Sequence, residues 1–221
     1  MWGELQRLVG EQSSPSFMTD YFALLKEQRR PWIDPEVLKR KFLAFSSEMH
    51  PDRVHGAGES EKRAAQERYA ELNAAYNCLR EPKERLAHLL ELETGAKPRQ
   101  VQNVPSDLMD AFMEITNVCR GADVFLAEKN ATTSPLLKLE LFGRGQEWTD
   151  KLMALQGKIN LWREELIRRV KEIDGEWERN QDPGSAERQT LVRALEGHCQ
   201  LLGYFGRWSA QIQERIVQLS L

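Results

Sequence analysis

Leu38-Lys39-Arg40-Lys41-Phe42-Leu43-Ala44-Phe45-Ser46-Ser47-Glu48-Met49-His50-Pro51-Asp52-Arg53 is the stretch on which the fold turns. Leu38, Phe42, Phe45 and Met49 fall at i, i+4, i+7 and i+11, one continuous apolar stripe along a helix. Asp34-Pro35 just ahead supplies an N-cap and a proline for the first helical position. Pro51 stops the helix at Met49 or His50, because a proline pushes the residue before it out of the helical region. Lys39, Arg40 and Lys41 crowd the start of the other face. His50-Pro51-Asp52 then opens a loop that runs into the glycine-rich Arg53-Val54-His55-Gly56-Ala57-Gly58.

Outward from this loop the apolar spacing stays helical, and no period-two stretch appears. Upstream, Thr19 to Glu27 carries Tyr21, Phe22, Leu24 and Leu25 and predicts a short helix, interrupted by Arg29-Arg30-Pro31-Trp32. Downstream, a helix from about Ser60 to Leu79 repeats Ala65, Tyr69, Leu72, Tyr76 and Leu79. Glu81-Pro82 opens a short helix whose stripe is Leu86, Leu89 and Leu90, ending near Gly95. Ala96 to Pro105 has no periodicity and reads as a linker. Beyond it, Ser106 or Asp107 caps a helix bearing Leu108, Phe112, Ile115, Cys119 and Leu126. Asn130 to Pro135 reads as a loop. A long helix follows, from about Glu147 to Arg179, with Trp148, Leu152, Leu155, Ile159, Trp162, Leu166, Val170, Ile173 and Trp177 stepping by three and four. After the turn Asp182-Pro183-Gly184-Ser185, a last helix spans Ala186 to Leu219. Two long helices joined by a tight turn pack antiparallel, and the Leu108 helix completes a three-helix bundle. The predicted class is all-α.

The composition narrows function. The chain has 221 residues, 41% hydrophobic and 29% charged, within the range of a globular protein. Its 31 basic and 34 acidic residues give a net charge of -3, no footprint for nucleic acid. Cys78, Cys119 and Cys199 lie far apart with no C-x-x-C pair, so neither a zinc site nor a disulfide framework is expected. No run of about 18 apolar residues predicts a membrane span, and the start Met1-Trp2-Gly3-Glu4-Leu5 lacks the features of a secretory signal. A cytoplasmic setting with no cofactor and no metal is the expectation.

His50-Pro51-Asp52 alone is weak evidence, since about one chain in a hundred of this length contains it by chance. Proline could simply end the helix, with His50 near the helix dipole and Asp52 capping the next turn. A catalytic pair is poorer still, because no nucleophile or ligand cluster accompanies it. His55, His88 and His198 read as surface or satisfied interior histidines, and the tryptophans share the spacing of a bundle core. The context of the tripeptide is what carries weight. A short Tyr-Phe helix, a basic helix, His-Pro-Asp, a long helix and a short helix over about residues 19 to 92 resemble the J domain of DnaJ-type co-chaperones. The matching pieces are Asp20 to Leu25, Leu38 to Arg53, and Ala70-Glu71-Leu72-Asn73-Ala74-Ala75-Tyr76-Asn77-Cys78-Leu79.

The continuation after residue 92 has neither the Gly/Phe-rich region nor the zinc domain of ordinary DnaJ. It resembles the HscB family, J-type co-chaperones of iron–sulfur cluster biogenesis with a C-terminal three-helix bundle. Pro105 to Glu114 is similar to the start of that bundle, and Leu202-Gly203-Tyr204-Phe205 with Arg207 and Ile212 to its last helix. Two departures stand out: Ala111-Phe112-Met113 dilutes an acidic pattern, and the stretch from Thr132 to Lys158 is longer than the bacterial equivalent.

The resemblance implies an N-terminal extension (1–17), a J domain (18–95), a linker (96–105) and a client-binding bundle (106–221). It implies a non-enzymatic activator of a DnaK/HscA-type ATPase, docking through His50, Pro51, Asp52, Arg53, Lys39, Arg40 and Lys41. A solvated helix face is the other reading of the basic run. The client implied is an IscU-type scaffold, held by Leu108, Met109, Phe112, Tyr204 and Phe205. Spacing marks Phe112 and Phe205 as the members nearest the core, leaving Leu108, Met109 and Tyr204 as an exposed patch. A different client, or an adaptor that activates no ATPase, remains open at this point.

Overall fold

The structure, a computed structural model, describes residues 19–51, 56, 58–98 and 106–220. Among the described residues there are helices and no strands: α1 (Tyr21–Leu24), α2 (Pro35–Met49), α3 (Glu59–Arg80), α4 (Pro82–Thr94), a 3-10 turn Ser106–Leu108, α5 (Met109–Ala131), α6 (Pro135–Arg179) and α7 (Ala186–Ser220). The all-α expectation stands, as does the order of elements.

Local chemistry explains the helix starts. Asp34 caps α2, its carboxylate accepting from the amides of Glu36 and Val37 with Pro35 at the first position. Asp20 does the same for α1. That helix is shorter than Thr19 to Glu27, because Lys26 takes a left-handed backbone (φ 50°) and turns the chain away. The α6–α7 turn is closed by Asp182, which accepts from Gly184, and by Ser185, whose hydroxyl accepts from the Arg188 amide.

The α6 start departs from the expectation. The helix begins at Pro135, not near Glu147, and the loop shrinks to 132–134. Ser134 precedes a proline at the first helical position, a sound start signal. The segment after it, Leu136-Leu137-Lys138-Leu139, has no apolar stripe, because these leucines are exposed. Core periodicity therefore could not reveal it.

α2 and α3 form an antiparallel pair. Phe42 stacks on Tyr76 with ring centroids 4.1 Å apart, while Ser46 meets the Tyr69 hydroxyl at 3.2 Å nearer the loop. α1 closes one side, and Phe22, Leu25, Leu38, Leu72, Leu79, Leu86 and Leu89 are buried between them. In the bundle, Glu114–Lys158 and Glu128–Arg144 make α5 and α6 antiparallel. Asp123–Arg215 and Lys129 donating to the Leu219 carbonyl make α5 and α7 parallel. Leu152, Leu155, Ile159, Leu166, Val170, Leu195 and Ile212 fill the interior.

The two helical groups share one hydrophobic core, with α4 packed on α7. Buried polar groups fix this joint. Asp174 of α6 accepts from Arg30 and from the Trp32 amide. Trp177 donates its indole N–H to the Arg29 carbonyl at 2.9 Å, and Lys171 sits over the Trp32 ring. The buried Arg85 of α4 donates to the carbonyls of Pro31 and Leu79. Burial lowers its pKa to about 10, so it still carries charge at neutral pH, and Asp174 is its main electrostatic counterweight. Arg188 of α7 pairs with Glu93 of α4, donates to the Trp177 and Asn180 carbonyls, and lies over the Trp177 ring.

Two predictions follow from these groups. Removing one partner of a buried charge pair strands the other, so Asp174→Ala is expected to cost about 3 kcal/mol in urea denaturation. Arg30→Ala should lose less, and the double variant should cost less than the sum of the two; additivity would contradict the coupling. His88 is the second case. Its Nε2 accepts the Tyr21 amide at 3.1 Å, and burial lowers its pKa below the usual histidine value. The folded state thus favours the neutral ring. Its contribution is complete above about pH 6.5 and is lost as pH falls through the lowered folded value, because the unfolded chain takes up the proton first. Lowering pH from 7 to 5 should reduce the melting temperature more in wild type than in His88→Gln; equal losses would rule this out.

Candidate functional site

At the end of α2, His50 takes an extended backbone (φ -60°, ψ 130°), the conformation that the following proline imposes. The chain leaves the helix there with the His50 side chain exposed. Its ring rests edge-on against Tyr69, centroids 5.4 Å apart, and Tyr69 is tied to Ser46. The histidine is held on a rigid helix pair and still presented to solvent. Pro51 is half-buried at the start of the loop. Asp52 and Arg53 lie outside the described residues.

The three basic residues of α2 separate into two kinds. Lys39 and Arg40 are exposed and have no ion-pair partner among the described residues. Lys41 instead pairs with Glu27 at 2.8 Å and donates to the Lys26 carbonyl at 2.9 Å, pinning α2 to the turn after α1. Its charge is engaged inside the fold. Between Arg40 and His50 the helix also exposes Leu43 (55%), an apolar contact that core periodicity passes over because it faces away from the core.

The second set lies at the start of α5. Leu108 and Phe112 are partly buried and packed against the core, while Met109 is exposed (43%). Met113, one turn on from Met109, is exposed as well (50%). It was not among the expected residues, although the i, i+4 spacing of the two methionines is visible in the sequence. The parallel run of α5 and α7 puts this surface level with the middle of α7, as an adjacent first and last helix require.

Tyr204 is a correction. It is 5% exposed, not part of an open patch. The Arg207 guanidinium covers its ring at 4.6 Å and Trp208 packs against it at 5.9 Å. α7 here is buried on more than one side, since α4 packs on it as well as α6 and α5, so a single apolar stripe underestimates its interior face. Phe205 is buried, as its spacing indicates, against Trp162 and Trp208.

Among the described residues, no group of three or more His, Cys, Asp or Glu side chains could hold a metal ion. The thiols of Cys78 and Cys199 face the backbone carbonyls of Glu84 and Lys83, and burial pushes both up to about 11, far from a reactive thiolate. No described helix is long and apolar enough to cross a membrane.

No family profile matches the chain. A co-chaperone protein HscB homolog from Burkholderia mallei is 26% identical over 213 residues, covering 92% of this chain and 98% of the relative. Homologs of the same description from Chromobacterium violaceum and Cupriavidus taiwanensis are 32% and 37% identical over 100 and 73 residues. Those two matches span 57% and 42% of the relatives' length. The chaperone HscB from Vibrio cholerae superposes with a TM-score of 0.60 at 18% identity, over 89% of this chain and 96% of that one. The chain has the fold of HscB. Human co-chaperone protein HscB shares the fold too, with a TM-score of 0.58 at 17% identity over 92% of this chain. The HscB-like architecture thus reaches from the J-type helices through the bundle.

Burial predicts how Tyr204 and Met109 differ. Tyr204→Ala should cost about 3 kcal/mol of stability, as large-to-small changes in a core do. Met109→Ala should stay within about 0.5 kcal/mol. Urea titration of both variants checks this, and comparable losses would place Met109 in the core.

Proposed function

We propose that this chain is a J-domain co-chaperone that stimulates ATP hydrolysis by a DnaK/HscA-type chaperone and delivers an IscU-type scaffold to it. In this reading residues 18–95 are the J domain, 96–105 a linker and 106–221 the client-binding bundle, with 1–17 an extension. The chain itself makes and breaks no bond and works in the cytoplasm. The observation that carries the reading is the presentation of His50. It stands exposed at an extended C-cap, on the same helix as Lys39 and Arg40, which have no ion-pair partner among the described residues, in a chain similar to HscB homologs over most of its length.

The proposed action is a shift of populations. His50, Pro51 and Asp52 bind the chaperone's hydrolysis-competent state better than its other states, and the difference in affinity sets the size of the shift. Lys39 and Arg40, with Arg53, raise the encounter rate with an acidic partner surface. Leu43 adds apolar contact between them. Lys41 contributes by holding α2 in place rather than by touching the partner. For the client, Leu108, Met109 and Phe112 supply the apolar surface, joined by Met113, while Tyr204 and Phe205 support it from beneath.

The test is single-turnover ATP hydrolysis by a DnaK/HscA-type chaperone with and without the scaffold. His50→Gln should keep stability within about 1 kcal/mol, since an exposed histidine contributes little packing, and should abolish stimulation. Reversing Lys39 and Arg40 to glutamate should slow association and flatten its salt dependence. A His50→Gln variant that stimulates like wild type would leave the chain a helical adaptor. Stimulation without any effect of the scaffold would assign the bundle a different client.

A further inference from the structure

A cluster of cations at the joint between the two helical groups takes no part in the proposed function. Arg80 and Lys83 stand on either side of the turn between α3 and α4, Arg163 comes from α6 and Arg207 from α7, and all four are exposed. Ion pairs and packing bring them together. Glu81 reaches Arg80 at 3.5 Å with one carboxylate oxygen and Arg163 at 3.9 Å with the other. Lys83 and Arg207 both lean over Gly203. A methyl group on its Cα would lie 3.6 Å from Lys83 Cε and 3.7 Å from Arg207 Nη1.

Their charge is only partly neutralised. Glu81 is shared between two arginines, Glu84 pairs with Lys83 at 2.9 Å, and Arg207 has no ion-pair partner among the described residues. Among these contacts four cations share two carboxylates, and ion pairs as exposed as these contribute little and exchange readily. The arginines are also arranged in advance. The Arg80 guanidinium lies over the Tyr76 ring at 5.8 Å and that of Arg207 over the Tyr204 ring at 4.6 Å. Tyr204 is buried and Tyr76 is stacked on Phe42, so both rings are fixed. A guanidinium held face-on to a fixed ring leaves its N–H edge for a carboxylate, and little freedom remains to be lost on binding.

We propose that Arg80, Lys83, Arg163 and Arg207 form a docking surface for an acidic segment of a partner protein, whose carboxylates the two stacked guanidiniums grip. Nucleic acid fits less well, because a phosphate backbone is bound by neutralising successive charges, and Glu81 and Glu84 stand among the cations here. A peptide can place carboxylates against the arginines and uncharged residues against the two glutamates. Because the four cations come from both helical groups, the surface is complete only while the joint is closed. This inference does not rest on the J-domain reading, since its readout involves neither His50 nor an ATPase.

The experiment uses the full chain and two labelled synthetic peptides, one alternating glutamate with serine, the other glutamine with serine. Fluorescence anisotropy should show the glutamate peptide binding at least about tenfold more tightly, with a gap that narrows as salt rises. Arg80→Gln combined with Arg207→Gln should weaken it by about tenfold or more, as for the loss of charge-assisted hydrogen bonds. Arg80→Lys combined with Arg207→Lys keeps the charge and loses the planar fork, so it should still weaken binding by at least about threefold. Arg168→Gln combined with Arg169→Gln removes the same charge from arginines of α6 that pair with Glu165, and should leave binding unchanged. All substituted side chains are exposed, so thermal melting should stay near wild type. Lys83→Gln combined with Arg163→Gln, which uncovers no tyrosine ring, carries the test if the first pair fails to fold. Equal binding of the two peptides, wild-type affinity in the lysine variant, or an equal loss in the Arg168/Arg169 variant would overturn the proposal. So would a single-stranded oligonucleotide that binds more tightly than the glutamate peptide and loses affinity in the same variants, which assigns the surface to nucleic acid.

Discussion

The carboxylate of Asp174 holds the molecule in one shape. It accepts from Arg30 and from the Trp32 amide, at the point where the chain between α1 and α2 crosses α6. A carboxylate buried to this degree is stable only if its lone pairs are met by donors, and donors so placed allow one arrangement of the two helical groups. Arg85, buried behind the same crossing, adds positive charge whose own donors go to Pro31 and Leu79 carbonyls. Rotating the N-terminal helices away from the bundle would strand all of these groups at once. The α4–α7 packing and the Arg188–Glu93 pair act from the other side of the same joint. Apolar contact supplies most of the attraction there, while the buried polar groups define the angle.

Much of this was legible from local patterns. Asp34-Pro35 and His50-Pro51 mark the ends of α2 because capping and proline sterics act within a few residues. The stripes of α3 and α7 follow from the period of the helix. What could not be read has a common cause, dependence on distant partners. Asp174 sits between Ile173 and Gly175 and looks like one more solvent-facing acid, until Arg30 arrives from 144 residues away. Lys41 looks like Lys39 and Arg40, until Glu27 is placed beside it. Tyr204 is covered by a neighbouring arginine and by the packing of a third element, which no periodicity in α7 announces. The first turns of α6 are the opposite case. They are helical without an interior face, so the signal that identifies other helices is missing.

The rigid joint matters for the proposed function because activation depends on geometry. A J domain on a flexible tether would present the client over a wide volume, and the effective concentration at the chaperone would fall with tether length. Here the start of α5 runs level with the middle of α7, where Cys199 and Gly203 meet Lys83 of α4. The proposed client surface therefore lies beside the N-terminal helices rather than at the remote end of the bundle. Its separation from His50 is set by packed elements, not by the residues of the linker.

The length of α6 then has a second consequence. Its C-terminal part forms the joint through Asp174 and Trp177, while Leu141 is more than thirty residues earlier on the same helix. At 1.5 Å per residue, this places the first turns of α6, with exposed Leu136, Leu139 and Phe142, about 50 Å from the joint. At its observed length, α6 therefore carries this apolar surface away from the start of α5, on the same stiff element that forms the joint.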